Sequence, residues 1–233
     1  KIATKTVTEK DGWKWKFENL DKYENGEVIN YTITEEAVEN GYTSEITKTG
    51  ENTFTVKNTR EPEKTFVEGE KTWDDANNQD GKRPTTITVK LYKKVGDKEK
   101  EEVTTQEVKA DDQGNWKYKF DNLPKYEGGK EITYSIDEEA VPGYEKSIDG
   151  YNLKNSYTPE VVNVQGTKTW NDANNQDGKR PDKIKVILNK TVDGKTSKVA
   201  EKEVTKDNWS YEFTNLPKFE GGKEITYSID EEA

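Results

Sequence analysis

Residues 67–84 have the sequence VEGEKTWDDANNQDGKRP, and residues 164–181 repeat it almost unchanged as VQGTKTWNDANNQDGKRP. Lys71 of the first copy and Lys168 of the second are 97 residues apart. A period of this length is that of a small domain, so each unit has to be interpreted as a fold of its own. The sequence therefore predicts tandem repeats that each begin with this stretch.

The start of this stretch predicts a strand with an unusual buried residue. In an extended strand alternate side chains share one face, so Val67, Lys71 and Trp73 point to the same side of the sheet. If Val67 and Trp73 face the core, the Lys71 amine faces it as well.

A second pattern of alternating residues occurs three times, at residues 13–35, 116–138 and 209–231. Each copy has three aromatic residues at every second position, then a turn, then a segment of the form Ile-x-Tyr-x-Ile-x-Glu. Strict alternation bounded by Asn, Asp, Gly and Pro predicts strands with one buried face. We therefore expect strands at residues 13–17 and 29–35 in the first copy. No segment has a 3.6-residue period of helical length.

The period divides the chain into three predicted domains. Residues 1–62 are the C-terminal portion of a first repeat, 63–160 a complete middle repeat, and 161–233 the N-terminal portion of a third repeat. The middle repeat contains about six or seven predicted strands. This number of short strands in about 100 residues predicts an antiparallel β-sandwich with Greek-key connections, so the fold class is all-β.

The composition limits the function. Hydrophobic residues make up 29% of the chain and charged residues 36%, a balance that is typical of disordered segments. Six Trp, twelve Tyr and the regular alternation instead favour thin cores with solvated outer faces. The net charge of -10, without a basic block, argues against nucleic acid as a partner. No apolar run approaches the ~20 residues of a membrane helix, so we expect no membrane insertion.

The chain contains no Cys, Met or His. Disulfides, zinc–thiolate centres, haem ligation and catalysis by Ser–His or Cys–His pairs are therefore excluded or strongly disfavoured. We expect no cofactor and no metal, and a turnover enzyme is the least favoured class. A thin-cored domain without disulfides needs another source of stability.

Three polar residues of the middle repeat lie on faces that should be buried. Lys71 is on the first strand, Glu138 ends a middle strand, and Asn155 is on the last strand. Burying a lone ammonium or carboxylate costs several kcal/mol, so these placements make sense only as a set. One interpretation is a buried Lys–Glu salt bridge with a hydrogen bond to the Asn.

A second interpretation is chemical. In a desolvated pocket an amine favours its neutral, nucleophilic form and a carboxyl group favours its protonated form. The Lys71 amine would attack the side-chain carbonyl of Asn155, and Glu138 would polarise that carbonyl and pass a proton to the leaving nitrogen. Ammonia departs, and an amide bond joins Lys71 to Asn155.

Four motifs carry a resemblance to a known family: KTW at residues 71–73, DGKRP at 80–84, YSIDEE at 134–139 and NSYTP at 155–159. In this order and with this period, the chain resembles the B-type repeat domains of the collagen adhesin, the CnaB-type domains of Gram-positive surface proteins and pilins. The resemblance implies tandem inverse immunoglobulin-like sandwiches that form a Lys–Asn isopeptide bond without another enzyme.

The resemblance also implies roles for individual residues. By position, Lys71 and Asn155 form the cross-link, and Glu138 is the assisting, catalytic acid. The first repeat lacks a KTW strand and the third lacks an Asn-bearing strand, so only the middle repeat is expected to close its bond within this sequence. The equivalent positions in the two incomplete repeats are Glu35, Asn58, Lys168 and Glu231.

The function implied by the resemblance is that of a stalk or spacer in a bacterial adhesin. The reaction occurs once per domain, so the chain is not an enzyme in the usual sense. The implied location is secreted and anchored to the cell wall, with the signal peptide and the anchor outside this stretch. The implied partner is a separate ligand-binding region of the parent adhesin in cis, through which a host extracellular-matrix protein would be bound.

Two rival functions use the repeated polar loop, residues 74–83. The loop or a sheet edge could bind a host ligand directly. Because Asn, Asp and Gly clusters are common turn formers, we favour a structural turn. The loop oxygens would also suit calcium, but DDANNQDG does not have the EF-hand spacing and no Glu follows at the final ligand position.

Overall fold

A computed structural model describes residues 1–232 of the chain. All regular elements of these residues are β-strands except a 3₁₀ turn at Glu9–Asp11. They form two compact units, Lys1–Pro62 and the residues from Glu63 onward. The first unit has the bounds predicted for the first repeat, and the division of the chain into three repeats stays a prediction. No helix within the described range is long and apolar enough to cross a bilayer.

The first repeat contains two antiparallel hairpins. Its strands are β1 (Tyr23–Glu24), β2 (Glu27–Val28), β3 (Thr43–Gly50) and β4 (Thr53–Thr59). No residue of Lys1–Pro62, all of which are described, is buried. This repeat therefore has strands but no closed core within the chain.

The middle repeat is a sandwich of two four-stranded sheets. Its strands are β5 (Lys64–Asp74), β6 (Ile87–Val95), β7 (Glu101–Val108), β8 (Trp116–Pro124), β9 (Tyr126–Glu127), β10 (Lys130–Glu138), β11 (Glu145–Asp149) and β12 (Asn152–Ser156). The sheet orders are β7-β6-β10-β9 and β11-β12-β5-β8. The eight strands exceed the predicted six or seven, and β9 has only two residues. All neighbours are antiparallel except β5 and β12, the first and last strands, which run side by side in parallel.

The core lies between these two sheets and follows the predicted alternation. In β8 and β10 every second residue is buried along most of the strand, and the residues between them are largely exposed. Burial of each large apolar side chain contributes about 1.5–3 kcal/mol. The buried apolar residues are Val67, Ile87, Val89, Leu91, Val95, Val108, Trp116, Tyr118, Phe120, Leu123, Ile132, Tyr134, Ile136 and Leu153.

The third repeat has part of the strand arrangement of the middle repeat and a smaller core. Its strands are β13 (Val161–Thr167), β14 (Lys183–Val192), β15 (Lys195–Thr205), β16 (Ser210–Pro217), β17 (Phe219–Glu220), β18 (Lys223–Glu224) and β19 (Thr226–Glu232). Among the described residues β13 pairs with β16 alone, because the chain has no counterpart of β12 in this repeat. Ile184, Val186 and Val204 form the buried cluster.

The strands predicted at residues 13–17 and 29–35 are not formed, although both segments are described. Their counterparts in the middle repeat are β8, which pairs with β5, and β10, which pairs with β6. The first repeat has no counterpart of β5 or β6 within the chain. The prediction is wrong here because alternation indicates a buried face, whereas a strand also needs a neighbour to accept and donate its backbone hydrogen bonds.

Gly69 allows β5 to pass close to the turn between β11 and β12. Tyr118 lies opposite Gly69 on β8, and its hydroxyl donates a hydrogen bond to the Tyr151 carbonyl. A Cβ on Gly69 would overlap that carbonyl oxygen and lie 2.7 Å from the Tyr118 hydroxyl oxygen. Gly69 is therefore required by space rather than by backbone conformation.

We expect Gly69→Ala to destabilise the middle repeat by about 1–3 kcal/mol, because the added methyl group displaces the Tyr151 carbonyl and strains the adjoining hairpin. Hydrogen exchange of the β6 and β8 amides in increasing denaturant measures the change. Glu68→Ala, on the solvent face one residue earlier, is the control and should stay within about 0.5 kcal/mol of the wild type. Equal stability of the two variants would contradict the steric explanation.

Candidate cross-linking site

Lys71 lies on β5 with its side chain in the core. The strand buries Val67 and Lys71 on one face. Its register places Lys71 opposite Trp116 on β8 and Leu153 on β12. Strand alternation therefore carries the amine into the layer between the sheets, where the exposed fraction of its side chain is 0%.

Glu138 reaches this amine from the opposite sheet. It is the last residue of β10 and pairs with Val89 of β6. The Lys71 Nζ donates to the Glu138 Oε1 at 2.7 Å, and neither side chain is exposed. The second oxygen, Oε2, has no hydrogen-bond partner among the described residues. A buried ion pair contributes to stability only when its remaining hydrogen-bonding groups are satisfied, so this pair is poorly compensated.

Asn155 lies on β12, the parallel neighbour of β5, where it pairs with Trp73. It is 1% exposed, and neither its Oδ1 nor its Nδ2 has a hydrogen-bond partner within residues 1–232. An unpaired buried polar group costs about 1–3 kcal/mol, and such groups are uncommon in native proteins. Two of them on one side chain, on the strand next to Lys71, require an explanation.

An aromatic ring lies against the Lys71 amine. The Trp73 ring centre is 4.5 Å from Nζ, and this ring packs edge-on against Trp116 and Tyr144 at 5.3 Å and 5.1 Å. Burial in this apolar layer lowers the pKa of Lys71, although the hydrogen bond to Glu138 acts in the opposite direction. The lowered pKa favours the neutral amine, which is the nucleophilic form.

Two further residues at the site were not predicted. Lys146, opposite Asn155 on β11, donates to the Glu138 backbone carbonyl at 2.7 Å and forms an ion pair with Asp137. Burial and the Glu138 charge raise the pKa of the Tyr118 phenol to about 12, so this group stays neutral near pH 7. The alternating pattern around Tyr118 predicts only that it is a core residue. Lys146 lies in an exposed strand whose sequence has no pattern that would indicate a role.

Each incomplete repeat contains two residues equivalent to members of the Lys71–Glu138–Asn155 set, and in each case these two side chains are hydrogen-bonded to each other. In the first repeat the Asn58 Nδ2 donates to the Glu35 Oε1 at 2.9 Å. In the third repeat the Lys168 Nζ donates to the Glu231 Oε2 at 2.8 Å. The side chains of Lys168 and Glu231 are 25% and 38% exposed. Of the described repeats, therefore, the middle one alone has all three residue types in a desolvated layer.

The repeated loop at residues 74–83 is bonded to its own repeat. Asp75 is buried and accepts two hydrogen bonds from the Arg83 guanidinium, at 2.6 Å and 3.0 Å. It also accepts the Tyr144 hydroxyl at 2.9 Å. A bidentate Arg–carboxylate pair of this kind fixes the geometry of the loop that carries it.

These hydrogen bonds within the repeat argue against the two rival functions of the loop, ligand binding and calcium binding. The same bidentate pair recurs in the third repeat between Arg180 and Asp172. Across residues 1–232 no three acidic, His or Cys side chains are grouped so that they could hold a metal ion. Because its central carboxylate is already paired within the repeat, the loop is better suited to a structural turn than to ligand or calcium binding.

The fold and the site together define a class of protein. The chain is a tandem array of β-sandwich repeats, and its complete repeat has a Lys, a Glu and an Asn on inward-facing positions of three strands. The family model described as "Cna protein B-type domain" matches residues 1–59, 67–156 and 164–233. The chain therefore belongs to the Cna protein B-type domain family, as its motifs predict.

A curated relative supports this assignment. The chain is 38% identical over 239 residues to the "Collagen adhesin" of Staphylococcus aureus, which covers 100% of this chain and 19% of that protein. The chain thus spans about a fifth of the length of this relative.

Solved structures of B repeats are also similar. Two B repeat units (B1B2) of the collagen binding protein (Cna) of Staphylococcus aureus match with a TM-score of 0.58 and 36% identity, over 97% of this chain and 58% of that chain. A single B repeat unit (B1) of the same protein matches with a TM-score of 0.37 and 40% identity, over 72% and 86% of the two chains. The two-unit structure confirms the predicted fold class of tandem inverse immunoglobulin-like sandwiches.

The Asp75 carboxylate should make the stability of the middle repeat depend on pH. Burial acts to raise its pKa, but hydrogen bonds from Arg83, Asn78 and Tyr144 outweigh burial and hold the pKa below the ordinary value of 3.8. The stability contributed by such a group is fully present above the unfolded pKa and is lost as the pH falls through the lower folded pKa. Asp75→Asn should therefore cost about 1–3 kcal/mol near neutral pH, and less as the solution is acidified below 3.8.

Thermal unfolding of the wild type and the variant at a series of pH values down to about 2 measures this difference. Asp74→Asn is the matched control, because Asp74 is exposed and makes only a surface ion pair with Lys154. Curves for Asp75→Asn and the wild type that stay parallel throughout acidification would contradict the prediction.

Proposed function

We propose that this chain is part of the stalk of a bacterial cell-surface adhesin, and that its middle repeat forms an amide bond between Lys71 and Asn155. One observation carries the cross-link: the Lys71–Glu138 contact is fully buried, and the neighbouring strand β12 carries a buried Asn155 side chain with no hydrogen-bond partner among the described residues. Membership of the Cna protein B-type domain family supports the wider role.

The reaction balances with the groups at the site. A proton first passes from the Lys71 Nζ to Glu138 along their 2.7 Å hydrogen bond, which converts the ion pair into a neutral amine and a carboxylic acid. The neutral amine then attacks the Asn155 Cγ, so a bond forms between Nζ and Cγ, and the protonated Glu138 donates to the Asn155 Oδ1. Glu138 then moves a proton from the attacking nitrogen to Nδ2, the bond from Cγ to Nδ2 breaks, and ammonia leaves. The site consumes its own side chains, so the reaction is a single turnover and Glu138 acts as the assisting acid.

The cross-link accounts for the polar atoms better than a salt bridge does. A salt bridge alone leaves Glu138 Oε2 and both polar atoms of Asn155 buried without partners, at a cost of about 1–3 kcal/mol for each group. Loss of Nδ2 as ammonia removes one of these atoms, and the neutral Glu138 can donate to the new amide carbonyl. The buried charges disappear as well, because the product is a neutral amide.

The position of the bond suggests its mechanical effect. It joins β5 to β12, the first and last strands of the middle repeat. Tension that enters at Lys71 leaves at Asn155 without loading residues 72–154, which could otherwise extend to roughly 280 Å. A repeat closed in this way is almost inextensible, which is the property that a stalk requires.

The proposal also assigns this chain a place in the parent adhesin. The relative is named a collagen adhesin, so we infer that a separate region of the parent protein, in cis, binds a host extracellular-matrix protein. This chain serves as the spacer between that region and the cell wall of the secreted, wall-anchored protein. The acidic and polar outer faces suit a spacer that must not aggregate with other copies of itself.

The intact mass of the denatured full chain tests the bond. The wild type should be lighter than its sequence mass by one ammonia, and Glu138→Gln should retain the full mass because the proton transfers are blocked. Glu139→Gln, at the next residue and exposed, is the matched control and should lose the ammonia. Fragment spectra should place the link between Lys71 and Asn155. A wild type of full sequence mass would leave the three residues as a buried polar cluster and reject the cross-link.

Stretching single full-length chains tests the mechanical effect. Both incomplete repeats should lengthen in the wild type and in Glu138→Gln alike. The variant should show one additional extension of up to roughly 280 Å, from residues 72–154 of the middle repeat. If the wild type shows this long step too, the load passes through the repeat and the stalk proposal loses its mechanical basis.

A further inference from the structure

The middle and third repeats meet where two glycines touch. Gly81 lies in the repeated loop of the middle repeat, and Gly222 lies in the turn between β17 and β18. A Cβ on Gly81 would be 2.5 Å from the Gly222 Cα, and the Gly222 N–H donates to the Gln79 carbonyl at 2.9 Å. Their φ angles of 68° and 79° lie in the left-handed region that favours glycine. Both residues therefore have a conformation that favours glycine. A Cβ on Gly81 would overlap Gly222, and a Cβ on Gly222 would lie 3.1 Å from the Gly81 Cα, which is a tight contact.

Asp80 bonds the same loop to the segment that connects the two repeats. The Asp80 side chain is buried, although it lies in a polar loop. The Asp80 Oδ2 accepts the Tyr157 hydroxyl at 3.0 Å and the Glu160 backbone N–H at 2.8 Å. The Glu160 carbonyl in turn accepts the Lys218 N–H at 2.9 Å. The loop, the connecting segment and the third repeat are thus linked by consecutive hydrogen bonds.

We propose that the DDANNQDGKRP loop is the joint surface by which one repeat holds the next, and that its partner is the Gly-Gly turn of the following repeat. Both halves of the joint occur in the middle repeat and again in the third repeat. The loop occupies residues 74–84 and 171–181, and the Gly-Gly turn occupies residues 128–129 and 221–222. The middle and third repeats therefore each carry one copy of the loop and one copy of the turn.

The unpaired copies support this arrangement. Gly178 in the second loop and Gly129 in the earlier turn have φ angles of 63° and 76°, close to those at the joint. A Cβ on either one would meet no described atom within 4 Å. These two copies share the backbone conformation of the joint but not its contact, so conformation and contact can be tested separately.

The joint goes beyond the proposed stalk function, because it sets the angle between repeats and does not need the cross-link. A contact of backbone against backbone has little freedom to adjust, so the two repeats should be held at one angle. The chain has no Cys, so Thr104→Cys in β7 and Ser197→Cys in β15, both at exposed positions, give one spin label on each repeat. Pulsed electron paramagnetic resonance on the full chain then measures the distribution of distances between them.

The wild type should give a narrow distribution. Gly81→Ala and Gly222→Ala, on opposite sides of the contact, should each broaden it at least two-fold. Gly178→Ala and Gly129→Ala are the matched controls, because they introduce the same backbone strain without a steric clash, and they should leave the width unchanged.

Three results would overturn the proposal: a wild-type distribution as broad as those of the joint variants, equal broadening in the controls, or broadening by only one of the two joint substitutions. The mass of each variant is measured in parallel. Loss of one ammonia tests the cross-link independently of the joint, so failure of one proposal is distinguishable from failure of the other.

Discussion

The middle repeat encloses an ion pair that has no access to water. Two sheets close over Lys71 and Glu138, and the cost of removing these charges from solvent falls on a domain with a thin core and no disulfide. Such a pair is a poor source of stability by itself. In the cross-link that we propose, the same desolvation serves reactivity, because it favours the neutral amine that would attack the Asn155 carbonyl. In the chain-entropy model the resulting covalent loop would return ~4 to 5 kcal/mol by restricting the unfolded state.

Much of this site could be predicted from alternation alone. A strand period of two places Lys71 on the same face as Val67, and the same rule turns Glu138 and Asn155 inward. What alternation cannot supply is the pairing of strands. The parallel neighbours β5 and β12 bring Lys71 and Asn155 onto adjacent strands, and that pairing is a property of the whole sandwich.

The same limit explains the errors. Residues 13–17 and 29–35 have the same alternation of apolar and polar residues as β8 and β10. They form no strand, because the chain contains no counterparts of β5 and β6 with which they could pair. Lys146 contacts the Glu138 backbone from an exposed strand in which every residue is polar or solvent-facing. Local sequence therefore predicts which face a residue occupies, whereas its contacts depend on chain segments far away in sequence.

The parallel pairing of β5 and β12 has a consequence for the newly folded repeat. Chain enters β5 at Lys64 and leaves β12 at Ser156, so a pull on the two ends drags these neighbouring strands in opposite directions along their shared ladder. Their backbone hydrogen bonds are then sheared all at once instead of being opened one after another. A folded repeat can therefore resist load before the proposed cross-link has formed.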